Sequence, residues 1–87
     1  MDEIRSAYYL RVIAMDRPGV LAQVAGILGK NDISLVSVLQ KGRAHGAAVP
    51  VVMMTHEARE RDMRAALAAI DKLPVVAART TMIRVEA

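Results

Sequence analysis

The chain has 87 residues, 54% of them hydrophobic and 24% charged, with a formal net charge of +3 and no cysteine. That is enough for one small domain around one core, marginal for standing alone, and too apolar for a disordered segment. The lack of cysteine excludes a disulfide framework and thiolate metal sites, and it fits a reducing cytoplasm.

No apolar run approaches the roughly 20 residues of a membrane-spanning helix, and Met1-Asp2-Glu3 does not open a signal peptide. The positive charge is dispersed. Bases alternate with acids, as in Glu57-Ala58-Arg59-Glu60-Arg61-Asp62, the pattern of a solvated helix face rather than a nucleic-acid patch. Tyr8 and Tyr9 are the sole aromatics, too few for a sheet that stacks bases. The expectation is a cytoplasmic protein with no nucleic-acid and no membrane partner.

Residues 1–7 are polar and read as a linker or disordered N-terminus. The domain proper runs from 8 to 87. Tyr8 to Ala14 forms the first strand, with Leu10, Val12 and Ala14 on one face and Tyr9, Arg11 and Ile13 on the other. After the turn at Asp16–Gly19, residues Val20 to Lys30 have helical spacing, with Val20, Leu21, Val24, Ala25, Ile27 and Leu28 in one stripe. Lys30-Asn31-Asp32 ends that helix, since Asn and Asp tolerate the left-handed conformation. Ile33 to Gln40 is the second strand, apolar on both faces and therefore expected to be covered on both. Gly42 to Gly46 is a polar turn. Ala47 to Met54 is the third strand, with Pro50 near its start or at a bulge because it has no N–H to donate. Ala58 to Lys72 is the second helix, with Met63, Ala66, Leu67 and Ile70 facing inward, and Leu73-Pro74 stops it. Val75 to Val85 is the last strand.

The order β-α-β-β-α-β predicts an α+β, ferredoxin-like sandwich: a four-stranded antiparallel sheet in the order 4-1-3-2 with both helices on one face. Ile13, Val36, Val38, Val52 and Met54 are candidates for the uncovered face, and a patch of that kind calls for a partner.

The turn Asp16-Arg17-Pro18-Gly19-Val20 is the segment with most chemistry. Asp16 can cap the helix, Pro18 suits its first turn, and Gly19 lets another group approach the backbone closely. Unsatisfied N–H groups at a helix start attract a small anion such as a carboxylate. The spacing alone fits a well-capped helix start equally, with no ligand at all.

Two blocks carry a resemblance. Asp16-Arg17-Pro18-Gly19-Val20-Leu21-Ala22, followed by Ile27-Leu28 and Ile33-Ser34, resembles the ACT domain, a small-molecule sensing module with this fold. Val49-Pro50-Val51-Val52-Met53-Met54-Thr55-His56-Glu57-Ala58 looks most like the C-terminal regulatory domains of bacterial homoserine dehydrogenases. The resemblance implies an amino-acid ligand, threonine for that host, held where the strand-to-helix turn of one domain meets the second strand of another. Carried over by position, the turn gives Asp16, Gly19 and Val20, and the second strand gives Ile33 and Ser34. Ser34 stands where many amino-acid-binding members have Asn, and its hydroxyl offers one donor where an amide offers two.

Other chemistry finds little support. His45 and His56 lie on turns far apart in sequence, so no metal site is expected. Met53, Met54, Met63 and Met82 suit a core as well as an adaptable interface. Ser34 and Ser37 have no base placed near them. Neither a phosphate loop nor the dinucleotide fingerprint G-x-G-x-x-G occurs, so no cofactor, no catalytic residue and no dehydrogenase activity are expected of this chain. The expected function is threonine-responsive regulation and subunit association, as a homodimer through a sheet edge or face and in contact with the parent enzyme's catalytic domains. Two alternatives stand beside it. One is an assembly module without ligand; the other is an ACT domain from another amino-acid biosynthetic or stringent-response enzyme.

Overall fold

The computed structural model describes residues 5–42 and 47–85. The elements are β1 (Arg5–Met15), α1 (Val20–Lys30), β2 (Leu35–Gln40), β3 (Ala48–Thr55), β4 (Ala58–Arg59), α2 (Glu60–Asp71) and β5 (Thr81–Val85). The sheet runs β2-β3-β1, with β5 and the two-residue β4 both pairing with β1, and every pairing is antiparallel. The long strands thus follow the predicted order, with β5 as the fourth.

The core forms because alternate residues of the two central strands meet the helix stripes. Tyr8, Leu10, Val12 and Ala14 of β1 and Val49, Val51 and Met53 of β3 are buried. They pack against Val20, Val24 and Leu28 of α1 and Met63, Ala66 and Ile70 of α2. Of the expected helix stripes, Leu21, Ile27 and Leu67 lie at the margin, partly buried. At the end of α1, Asp32 adopts φ 64°. The Ile33 N–H donates to the Leu28 carbonyl at 3.0 Å and the Asp32 N–H to Gly29 at 3.0 Å. This is the two-bond left-handed helix stop, with Ile33 and Leu28 both buried beneath it. Pro50 is the third residue of β3. Its carbonyl accepts from the Lys41 N–H at 2.9 Å, just past the end of β2, so its missing donor falls where that ladder runs out.

Several expected boundaries move. β1 begins at Arg5, so residues 5–7 are strand rather than linker, because Arg5 and Ser6 pair with Arg59 and Ala58. Those partners form β4, which displaces the start of α2 from Ala58 to Glu60. The last strand starts at Thr81, not Val75: Leu73 to Val76 is a turn closed by the Val76 N–H on the Leu73 carbonyl, and Val76 then makes an isolated antiparallel bridge with Ala14 rather than opening a strand. Thr80 is then tied to α2 by its N–H and hydroxyl, both donating to Asp71 Oδ1 at 3.0 and 2.7 Å. The predicted turn residues Arg43 to Gly46, His45 among them, lie outside the described residues, as do residues 1–4.

The second strand departs most. It begins at Leu35, and between Leu35 and Ser37 its register against β3 shifts by one residue. The bulge sets Val38 opposite the buried Met53, on the helix side, and puts Leu39 opposite Val52 on the uncovered face. Val38 is therefore not among the residues that share the open face with Ile13, Val52 and Met54, whereas Val36, at the bulge beside the inward Leu35, stays on that side. Nor is the strand covered on both sides: it is the sheet edge, with Val36, Val38 and Leu39 58%, 44% and 57% exposed.

Candidate functional site

The turn before α1 is built differently from its expected form. Pro18 and Gly19 occupy the middle of a four-residue turn closed by the Val20 N–H on the Arg17 carbonyl at 3.3 Å. Gly19 has φ 84° and ψ −13°. Pro followed by a left-handed Gly is the signature of a type II turn. Gly19 is also the residue that flanks α1, its carbonyl taking the first helical bond from the Gln23 N–H at 3.1 Å. Among the described residues no side chain caps the helix.

Asp16 is thus not the N-cap. The inserted turn carries it away from the helix axis, and Pro18 precedes the first helical turn rather than sitting in it. Asp16 is instead held at the mouth of the sheet. Its N–H donates to the Ala47 carbonyl at 2.8 Å, and its Oδ1 accepts from Gln40 Nε2 at 3.3 Å. Gln40 was not singled out from the sequence. The signal was present, since it is a polar side chain with an amide donor that ends an apolar strand. Gln40 Nε2 also donates to the Gly42 carbonyl at 2.8 Å, which fixes the end of β2 against the turn.

The mouth of this turn is open. Gly19 is exposed, and no atom of the described residues lies within 4 Å of where a Cβ on it would stand. Val20 is buried at 3% exposure, so its side chain belongs to the core and its N–H to the turn. The next N–H groups, of Leu21 and Ala22, come too early in α1 to have acceptors within the helix. They and the positive end of the helix dipole form the polar rim of the opening.

Ile33 and Ser34 stand elsewhere. Both follow the C-terminus of α1, whose 11 residues span about 16 Å at 1.5 Å each. Ile33 is buried and Ser34 exposed, and the Ser34 carbonyl accepts from the His56 N–H at 2.9 Å. Within one chain the five predicted site residues therefore form two separate groups. Asp16, Gly19 and Val20 sit at one end of α1, and Ile33 and Ser34 at the other.

Among the described residues, no group of three or more His, Asp or Glu side chains is arranged to hold a metal ion, and no helix is long and apolar enough to cross a membrane. Met53 and Met63 are core residues, whereas Met54 is half-buried and Met82 more exposed.

The family model for the ACT domain matches residues 8–75. The homoserine dehydrogenase of Neisseria gonorrhoeae is 43% identical over 86 residues, which make up 99% of this chain and 20% of that protein. That of Methylobacillus glycogenes is 44% identical over 87 residues, 99% of this chain and 21% of the relative. Among solved structures, a homoserine dehydrogenase from Thiobacillus denitrificans aligns with a TM-score of 0.86 at 39% identity, covering 98% of this chain and 18% of that one. The ACT domain of the GTP pyrophosphokinase of Chlorobium tepidum aligns with a TM-score of 0.68 at 15% identity, over 94% of this chain and all of that one; at that identity the likeness is one of fold. The chain spans about a fifth of the length of the curated relatives it matches. By the match over residues 8–75 and by its fold, the chain belongs to the ACT domain family.

Proposed function

We propose that this chain is the regulatory domain of a homoserine dehydrogenase, that it senses threonine, and that its binding site is completed only between two copies. Its similarity to homoserine dehydrogenases over nearly its whole length supports the host. The observation that carries the site is the open left-handed Gly19 at the start of α1, with room around it and N–H groups beside it. The amino acid's carboxylate lies against the N–H groups after Gly19. Its ammonium is matched by the Asp16 carboxylate, and Ile33 and Ser34 of a second copy close the far side. Because a single chain keeps those two groups at opposite ends of α1, ligand binding and association are coupled in free energy. On this reading the isolated domain has no dehydrogenase activity, because the chemistry belongs to other parts of the enzyme. Mixing it with NADPH and aspartate semialdehyde should give no turnover above a blank.

A second reading has its own observation. The β2 edge exposes Val36, Val38 and Leu39, and Ser34 replaces the amide found in many amino-acid-binding members, so the domain serves assembly alone. Titration calorimetry separates the two. Sensing predicts saturable heat with threonine and none with a charged amino acid such as lysine at the same concentration. Assembly alone predicts no heat of binding with either.

A further inference from the structure

The sheet face that no helix covers has a one-sided charge pattern. Its middle is apolar, formed by Tyr9 and Ile13 of β1, Val52 and Met54 of β3, Leu39 of β2 and Ile83 of β5. Ile83 and Leu39 are 54% and 57% exposed. Arg11 stands in the centre, paired across the strands with Val52 and Thr81. It is exposed, and among the described residues it has no ion-pair partner. At one margin Arg5 lies directly opposite Arg59, a like-charge arrangement that weakens a ladder unless something negative lies against it. None of the five strands contains an Asp or a Glu. The described carboxylates all lie on helices and connecting segments.

This pattern discriminates between occupants. A two-fold dimer through this face would repeat the same patch on both sides. It would bury Arg5, Arg11 and Arg59 of each copy against a surface with no carboxylate among the described residues, and an uncompensated buried charge is strongly destabilising. Yet an apolar patch with Tyr and Arg at its centre has the composition of an interface core. The β2 edge offers a second copy a ladder of unpaired backbone groups without that charge conflict.

We propose that the open sheet face docks an apolar, carboxylate-bearing segment of the parent enzyme outside this domain, with Arg11 as its central contact, and that copies of the domain meet elsewhere. This rests on the homoserine dehydrogenase reading above. Complementary charge sets the register of docking, and the surrounding aliphatic side chains exclude water from the Arg11 contact.

The test uses the enzyme that carries the domain, with Ile83 replaced by the photocrosslinker p-benzoylphenylalanine. Crosslinks are mapped by mass spectrometry, in wild type and with Arg11→Glu or Arg11→Lys added. The expected crosslink joins Ile83's position to a segment outside residues 5–85 that has an Asp or Glu within a few residues. Arg11→Glu lowers its yield more than about tenfold, Arg11→Lys retains most of it, and the thermal midpoints of the variants stay close to wild type. Crosslinks to the same face of a second copy, the absence of any crosslink, or a yield unchanged by Arg11→Glu would each overturn the proposal. Threonine inhibition is assayed in the same preparations. A mapped crosslink without inhibition defeats threonine sensing and leaves the docking surface standing, whereas inhibition without the crosslink defeats the docking surface alone.

Discussion

At Gly19 the backbone, not a side chain, makes the feature. A φ of 84° lies where a residue with a Cβ loses about 1–2 kcal/mol, although no described atom stands in the way of that Cβ. Gly19→Val should therefore cost about that much stability through backbone strain and also obstruct the opening. Thermal melts with and without threonine separate the two effects: the midpoint falls, and its response to threonine disappears. Asp16→Ala should cost less than the roughly 1 kcal/mol of a lost helix cap, because the residue is not the cap. Chemical denaturation of that variant checks the correction directly. Inside the fold, Thr55 and Tyr8 give a contrasting pair. Thr55 is buried, accepts from the Tyr8 N–H at 3.0 Å and donates to the His56 carbonyl at 2.8 Å. Thr55→Val strands the buried Tyr8 N–H and should cost about 1–3 kcal/mol. The Tyr8 hydroxyl is buried without a hydrogen-bond partner among the described residues, so Tyr8→Phe should be neutral or stabilising in the same denaturation experiment.

At the scale of elements, what could be read from the sequence depended on whether periodicity had one answer. α1 and α2 carry single apolar stripes, and Val24, Leu28, Met63, Ala66 and Ile70 are buried as that spacing requires. The left-handed stop at Asp32 follows from Asn31-Asp32 after the last helical residue. β2 was ambiguous because Leu35, Val36, Val38 and Leu39 place apolar residues on both alternations, so a one-residue shift leaves the pattern intact. Only pairing with β3 reveals the bulge. The two residues of β4 are too short for any period. In the candidate site, the turn was legible through Pro18-Gly19, but its type was not. Asp16 had the chemistry of a cap, and the type II turn took the position first. The bulged, exposed β2 edge leads to a prediction at this scale. Val38→Lys places a charge on that edge, the usual device against edge-to-edge pairing. If copies pair through that edge as proposed, wild type sediments as a dimer at tens of micromolar and the variant shifts toward monomer, with an unchanged circular dichroism spectrum. An unchanged dimer would remove the β2 edge from the interface.

Across the whole molecule, one small core holds two unsatisfied surfaces, the edge of β2 and the open face around Arg11, together with a site divided between the two ends of α1. On the proposed reading each part, incomplete in one chain, is completed by a neighbour, which is the requirement for a domain that reports ligand occupancy through assembly. A ligand that binds the native, associated state raises its thermal midpoint by mass action. The most direct measurement is therefore the thermal midpoint of the 87-residue chain, at fixed protein concentration, without and with millimolar threonine. The account predicts a rise that saturates with threonine, is lost in Gly19→Val, and is accompanied by tighter association in sedimentation. A wild-type midpoint that does not move at millimolar threonine would contradict it.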